Sequence, residues 1–195
     1  MTSAAELMST RRRAHPPFFR AVAADARATL TLRMEYRKEF GPLGLLWQII
    51  RLSWVADAFL SQMCYRAKAR LQRFRVPLLP RILHRVAMRR SQVCIGDPVV
   101  IAPGLYLPHG QVVIDGLTTI GANAVVFPWV TIGLKAGIIH GPTLAENVTV
   151  GSGAKVLGPV SLGQGCTVGA NAVVIDDVPA HATVVGVPAR VLGRR

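Results

Sequence analysis

A period of six residues dominates the second half of the chain. From Ile95 onward an aliphatic residue recurs at every sixth position, with one extra residue after the third hexad and an interruption after the seventh. These positions are Ile95, Ile101, Leu107, Ile114, Ile120, Val126 and Ile132, and then Leu144, Val150, Val156, Leu162, Val168 and Val174. A period of six fits neither an amphipathic helix (about 3.6) nor an ordinary strand (about 2), but it is typical of a parallel β-helix. Stacked coils would bury these residues in one continuous core.

Charge divides the chain near residue 92. Residues 1–92 contain 18 lysine and arginine residues against 5 aspartate and glutamate residues, whereas residues 93–195 contain 5 of each. The net charge of +13 therefore belongs to the first half. The sequence predicts three parts: a disordered tail over 1–17, a basic helical region over 18–92, and a β-helix domain over 93–195.

Within the basic region the apolar spacing predicts helices over Phe18–Phe40, Leu43–Arg75 and Leu79–Arg90. Their apolar stripes could pack on the β-helix or on a neighbouring subunit. A second alternative is a peripheral contact with an anionic membrane surface, with Trp47 and Trp54 at the interface. An acidic acyl-carrier protein is a further alternative. Nucleic acid is the weakest partner, because no recognised motif accompanies the charge.

The cysteines indicate a reducing compartment. Cys64, Cys94 and Cys166 form neither a disulfide framework nor a metal-ligand spacing. Arg11–Arg13 lacks the adjacent apolar segment of a signal peptide. We therefore expect a cytoplasmic protein, with a peripheral position at the inner membrane face if the basic region binds lipid.

Three local motifs identify a resemblance that covers residues 93–195. They are Pro103-Gly-Leu-Tyr-Leu-Pro-His109, Val150-Gly-Ser-Gly-Ala-Lys-Val-Leu-Gly158 and the ending Gly186-Val-Pro-Ala-Arg-Val-Leu-Gly193. The chain resembles the hexapeptide-repeat acyltransferases, most closely their serine acetyltransferase branch. The resemblance implies a left-handed β-helix, a homotrimer with its sites at the subunit boundaries, and acetyl-coenzyme A as the acyl donor. No metal is implied.

His109 is the candidate general base. Acylation of a hydroxyl by a thioester needs a group that accepts the hydroxyl proton, and neutral imidazole suits this because its pKa lies near working pH. His109 lies where the hexad phase slips by one residue, and the resemblance places it on the family's catalytic histidine. A corner histidine bonded to a backbone carbonyl is the structural alternative.

His140 is the second candidate catalytic residue. It lies in Leu134–Thr143, where the regular hexads are interrupted, as expected for a loop that projects from a coil. The family has a histidine in the corresponding loop that contacts the acceptor or the coenzyme across a subunit boundary. His15, His84 and His181 are expected to be surface or packing residues.

Two departures from the family pattern concern the acceptor. Aligned without gaps, the family's carboxylate that orients the catalytic histidine falls on Cys94, and the acidic residue that holds the amino group of serine falls on Pro108. A buried ammonium group needs an anion. Asp115 is the candidate substitute for substrate binding, although Ile114-Asp-Gly also fits a plain corner.

Small and basic residues are the candidates for coenzyme binding. In the family the pantetheine arm lies in the groove between neighbouring β-helices, and Ser152, Ala154 and Ala170 match positions where a large side chain would block it. Lys155 and Arg190 are candidates for the coenzyme phosphates. Asp176 weakens the similarity to sugar acetyltransferases, which commonly have a basic residue nearby.

These observations predict a coenzyme A-dependent O-acetyltransferase that transfers an acetyl group to a hydroxyl of a sugar or another small molecule, with His109 as the base. The alternatives are an authentic serine O-acetyltransferase of cysteine biosynthesis and a non-catalytic membrane-associated or scaffold protein. A zinc hydratase on the same fold would need three converging histidines, and the hexads offer only His109 and His140 in suitable places.

Overall fold

The computed structural model describes residues 4–35 and 40–193. In these residues the first half forms helices: α1 (Ala4–Arg13), α2 (Phe18–Leu32), α3 (Pro42–Val55), α4 (Phe59–Arg73) and α5 (Leu79–Ser91). The second half forms short strands: β1 (Val93–Ile95), β2 (Val100–Ile101), β3 (Val112–Ile114), β4 (Thr119–Ile120), β5 (Val125–Val126), β6 (Thr131–Gly133), β7 (Thr143–Leu144), β8 (Thr149–Val150), β9 (Lys155–Leu157), β10 (Ser161–Leu162), β11 (Thr167–Val168), β12 (Val173–Val174), β13 (Thr183–Val185) and β14 (Arg190–Val191).

The strands build a β-helix with three faces. Their orders are β1-β3-β6-β9-β12, β2-β4-β7-β10 and β5-β8-β11-β13-β14, and every pair is parallel except β13–β14. The predicted period of six is confirmed by the register: Ile114 lies beside Ile132, Ile120 beside Leu144, and so on along each face. The aliphatic residues of the hexads form one buried core.

The interruption of the hexads is a loop over residues 134–142, as predicted. Its residues 134–140 are exposed, and it folds back over the preceding coil, where the amide of Leu117 donates to the carbonyl of Ile139 at 3.1 Å. His140 therefore lies at the corner that follows β3 in one coil and β6 in the next.

Helix α4 caps the first coil. In this coil, amides such as those of Gly96 and Val100 donate to the second coil, which leaves alternate carbonyls pointing the other way. Side chains of α4 donate to them: Gln62 to Leu105 (2.7 Å), Tyr65 to Val99 (3.0 Å), Arg66 to Ile101, and Lys68 to Ile95 (2.6 Å). Buried backbone groups without hydrogen-bond partners destabilise the folded state. The donors of α4 therefore stabilise the first coil of the β-helix, and the coil in turn holds α4 in place.

A buried ion pair completes this cap. The carboxylate of Asp25, on α2, accepts two bonds from Arg66 (2.9 and 3.0 Å) and two from the amides of Gly104 and Leu105 (both 2.9 Å). Burial raises the pKa of Asp25, while the charge of Arg66 and these hydrogen bonds oppose the rise. Both side chains are almost fully enclosed, so the pair fixes α2 and α4 together on the first coil.

The prediction of a disordered tail over 1–17 is wrong for the part that is described. Residues 4–13 form α1, because Arg11 binds the β-helix through the carbonyls of Pro98 (2.7 Å) and Thr118 and the hydroxyl of Thr119 (2.8 Å). His15 is buried beside Tyr65. These contacts join segments about a hundred residues apart, which local composition does not reveal. Residues 1–3 lie outside the described residues.

The predicted helix over Leu43–Arg75 is two helices. The chain leaves the helical conformation at Ala56 and restarts at Phe59, and α4 is bent by 113° from α3. The bend lets α4 lie on the first coil, with Ala56, Ala58 and Phe59 buried at the turn. The predicted helix over Phe18–Phe40 ends at Leu32, and residues 36–39 lie outside the described part of the chain.

Among the described residues no single helix is long and apolar enough to cross a membrane. Helices α3 and α4 would reach the required length and hydropathy only as a bent pair. Eight of the fifteen residues of α4 are buried, among them Gln62, Arg66 and Lys68, which donate to the first coil.

Candidate active site

Three segments meet beside the first coils. They are the turn between α3 and α4 (56–58), the end of α5, and the corner before β3 (108–111). Ser91 joins them: its hydroxyl donates to the carbonyl of Asp57 at 2.8 Å, and its carbonyl accepts from the amide of Gln111 at 2.8 Å. The Ser91 hydroxyl also lies 2.7 Å from that of Ser61, on α4.

The central contact is between His109 and Asp57. The Nδ1 atom of His109 lies 2.7 Å from Oδ2 of Asp57, and the two side chains are 61% and 66% exposed. A carboxylate on Nδ1 fixes the tautomer that carries its proton there, and this leaves the Nε2 lone pair free to accept a proton. His109 is therefore bonded to a carboxylate, and the alternative of a backbone carbonyl partner is wrong for this nitrogen.

Asp57 is a candidate functional residue that the sequence pattern did not indicate. Aligned without gaps within the β-helix, the family's carboxylate position falls on Cys94. The structure supplies the carboxylate from the helical half, 52 residues before His109. The one sequence signal is the break between two helices at 56–58, which the apolar pattern of Leu43–Arg75 concealed. Burial, and then the charge of Asp115, raise the pKa of the Cys94 thiol.

A cavity of about 320 Å³ surrounds this pair. It is lined by Asp57, Arg89, Arg90, Ser91, Gln92, His109, Gly110 and Gln111. Arg89 and Arg90 form no ion pair with any described residue, and Asp57 is the one carboxylate in the lining. The cavity therefore offers a proton acceptor, one negative group and two positive groups.

Asp115 and His140 lie elsewhere in the protomer. Asp115 follows β3 and its Oδ1 accepts the amide of Gly116 at 2.7 Å, as in a plain corner of the β-helix. It lines a separate cavity of about 370 Å³ together with Cys94, Asp97 and groups from α4 and α5. His140 is on the loop over that same corner. Since His109 precedes β3 and these two residues follow it, one chain does not bring them together with His109.

The corner of His109 continues along the β-helix as an edge that includes candidate coenzyme residues. Backbone bonds connect it coil by coil, from Trp129 to Gln111 (2.8 Å), from Gly153 to Pro128 (2.9 Å) and from Asn171 to Ser152 (2.8 Å). Ser152 and Ala170 lie on this edge and are at least partly exposed.

The expectation that Ala154 lines a coenzyme groove is not met. Its side chain is fully buried in the core. Its amide donates to Gly151 and its carbonyl accepts from Thr131, so its backbone groups have partners within the β-helix. The small side chain at this position serves core packing.

The two basic candidates differ in their partners. The ammonium group of Lys155 donates to the carbonyl of Trp129 at 2.6 Å, on the edge of His109. Arg190 lies near the end of the β-helix and pairs with Asp176 at 3.2 Å. Both members of that pair are mostly exposed, and such a contact is weak. A phosphate could therefore compete for Arg190.

No group of three or more histidine, cysteine or acidic residues within 4–35 and 40–193 could hold a metal ion.

Comparison with known proteins places this geometry in a family. The family model described as bacterial transferase hexapeptide (six repeats) matches residues 141–176. A serine acetyltransferase of Helicobacter pylori (strain J99) is 36% identical over 150 residues, which cover 75% of this chain and 85% of that protein. A serine acetyltransferase of Synechococcus elongatus is 39% identical over 140 residues, or 70% of this chain and 57% of the relative.

The chain thus spans little more than half the length of some curated relatives that it matches. A solved structure of a serine acetyltransferase in complex with coenzyme A superimposes with a TM-score of 0.74 at 25% identity, covering 96% of this chain and 74% of that one. The predicted fold, a left-handed parallel β-helix behind an N-terminal helical region, is confirmed. The chain belongs to the serine acetyltransferase family of hexapeptide-repeat acyltransferases.

Proposed function

We propose that this protein is an acetyl-coenzyme A-dependent O-acetyltransferase in which His109 is the general base and Asp57 positions it. The contact of 2.7 Å between Asp57 and Nδ1 of His109, at an open cavity, carries this proposal. The family supports the donor, since a related structure is a complex with coenzyme A.

The reaction follows from the free nitrogen of His109. As the acceptor hydroxyl attacks the thioester carbonyl, its proton passes to Nε2, and a carbon–oxygen bond forms while the carbonyl oxygen gains negative charge. When the tetrahedral intermediate collapses, the carbon–sulfur bond breaks, and the imidazolium returns the proton to the departing thiolate. Asp57 stabilises the imidazolium between these steps. Backbone donors at the corner would hold the oxyanion.

Serine is the acceptor that we propose first. The related proteins are serine acetyltransferases, and the doubt raised by the sequence concerned the loss of carboxylates at Cys94 and Pro108. Asp57 provides an anion beside His109 that could serve an ammonium group, and Arg89 and Arg90 could bind a carboxylate. The cavity therefore has complementary charges for a zwitterion.

A sugar or another neutral hydroxyl compound remains the second candidate. The observation in its favour is that Asp57 is already engaged by His109 and that Pro108 adds no further acid. Release of the coenzyme thiol would be measured with serine, with N-acetylserine, which lacks the ammonium group, and with simple sugars. Preference for serine over N-acetylserine supports the first candidate, whereas faster turnover of a sugar would replace it. His109→Ala is the control for enzymatic release.

We also propose that the protein is a cytoplasmic homotrimer whose sites lie between subunits. His109 and His140 lie at different corners of one β-helix, and a neighbouring subunit could bring a second His140 to His109. The free state of Cys64, Cys94 and Cys166 supports the compartment. If the sites are shared, co-expressed His109→Ala and His140→Ala chains should regain activity that each lacks alone. The molar mass from sedimentation tests the trimer.

A further inference from the structure

Helix α3 is apolar on two opposite faces. One face, with Leu45 and Leu52, is buried against α2 and α4. The other face is open to solvent and carries exposed apolar side chains at helical spacing: Leu43, Leu46, Trp47, Ile50 and Trp54. We call these five residues the α3 stripe. Trp47 is 64% exposed and Trp54 is 84% exposed, whereas a surface helix normally turns a polar face to water.

The α3 stripe contains no charge. The one ionised residue of the helix, Arg51, is paired with Glu35 at 2.7 Å and lies outside the stripe. Tryptophan is the residue that most favours the boundary between hydrocarbon and water, because its ring is apolar and its N–H can remain hydrated. Two exposed tryptophans about two turns apart, flanked by leucine and isoleucine, suit an apolar layer beneath a hydrated surface.

The net positive charge of residues 1–92 favours an anionic partner for the α3 stripe. Residues 1–92 have 18 basic and 5 acidic residues, an excess of 13. Many of these arginines are exposed and have no ion pair among the described residues, including Arg20, Arg27, Arg81 and Arg85. A second copy on the same face would bring two such excesses together, which like-charge repulsion opposes. An anionic surface is attracted by the same charge.

We propose that the α3 stripe inserts into the interfacial layer of an anionic phospholipid membrane, so that the protein binds the surface without spanning it. The apolar side chains supply the inserted area, and the exposed arginines supply the attraction to anionic headgroups. This attraction acts over about one Debye length and weakens as salt rises. The binding is independent of the acetyltransferase proposal, because no residue of the stripe lines the cavity of His109.

The test is co-sedimentation of the 195-residue chain with vesicles of phosphatidylcholine, with or without phosphatidylglycerol. We expect binding to the anionic vesicles, little binding to phosphatidylcholine alone, and release as salt is added. The double variant Trp47→Ser, Trp54→Ser should bind anionic vesicles at least about tenfold more weakly, because each substitution removes a large inserted side chain. Since both side chains are exposed, this variant should fold normally, as circular dichroism would verify.

The matched control is Trp129→Ser, which removes a tryptophan that is 60% exposed on the β-helix. It should bind vesicles like the unaltered protein. In a Trp129→Phe background the remaining tryptophans are Trp47 and Trp54 of the three in the chain, and their fluorescence should shift to the blue with anionic vesicles.

Three results would overturn the proposal. One is the absence of vesicle binding, and another is binding that the double variant retains in full. The third is a lower molar mass of the double variant in sedimentation velocity without lipid, which would make the stripe a protein interface.

Discussion

Replacing Asp57 by asparagine is the sharpest test of the active site. The amide keeps the size of the side chain and removes its charge, so that it can no longer hold the imidazolium of His109 that forms during transfer. In buried catalytic triads such a change costs about 10⁴-fold in turnover. Here the two side chains are 66% and 61% exposed, so water screens the charge and can replace part of the interaction.

We therefore expect Asp57→Asn to lower kcat by about 10- to 100-fold, which corresponds to about 1.4 to 2.7 kcal/mol of transition-state stabilisation. The KM for acetyl-coenzyme A should change little, since the side-chain and backbone partners of Asp57 in the described structure are His109 and Ser91 and not the candidate coenzyme residues. Thiol release under saturating donor measures both parameters. Asp57→Glu should recover part of the rate, because a carboxylate is restored on a longer side chain.

The matched control is Asp177→Asn, an exposed aspartate whose Oδ1 accepts the amide of Ser161 at 2.7 Å. Asparagine can keep that bond, so the rate should be unchanged. If Asp57→Asn turned over as fast as the unaltered protein, the pairing with His109 would have no catalytic role. If it lost only affinity for the acceptor, Asp57 would be a substrate-binding residue instead of a positioning residue.

The remaining predictions concern the base and the cap of the β-helix. His109→Ala should reduce acyl transfer by about 10²–10⁴-fold and leave the thermal midpoint nearly unchanged, since the imidazole is exposed; unaltered turnover would exclude it as the base. Asp25→Asn leaves the buried guanidinium of Arg66 without its anion and should lower the free energy of unfolding by about 3–5 kcal/mol in urea, whereas a loss below 1 kcal/mol would contradict the contact. Burial, and then the charges of Arg66, Arg11 and Lys68, lower the pKa of His15 to about 4 from 6.5. Because the unfolded chain binds this proton first, stability should be full above pH 6.5 and fall towards pH 4 by at most about 3 kcal/mol, and His15→Gln should flatten that part of the pH profile.

The repeating part of the fold could be predicted from the sequence, whereas the contacts between segments that are distant in the chain could not. The hexads predicted the β-helix and its core, since each aliphatic position faces the same interior and the pattern recurs coil after coil. The position of His109 followed from motif similarity. Asp57 could not be found in this way, because its contact depends on Ser91 and on the bend between α3 and α4, and the apolar pattern of Leu43–Arg75 conceals that bend. The same holds for Arg11, whose partners are far along the chain.

Ala154 illustrates the opposite error. A small residue after a glycine corner fits both a groove that admits a ligand and a position in the core. The two alternatives differ only in the direction of the side chain. Strand alternation decides between these alternatives, but a hexad that contains a left-handed corner at Gly153 (φ +75°) does not keep a simple alternation. The direction of a single side chain near such a corner depends on the backbone itself.

The two terminal coils of the β-helix determine whether strands of other chains can add to it. Each coil is a template for the next, so a bare terminal coil can recruit any extended chain, as open edges do in amyloid. Helix α4 occupies the first coil with side-chain donors, and β14 turns back antiparallel at the last coil, which breaks the parallel template. The helical half therefore also protects against polymerisation, and a chain that begins at Val93 should form insoluble assemblies that the chain of residues 1–195 does not form.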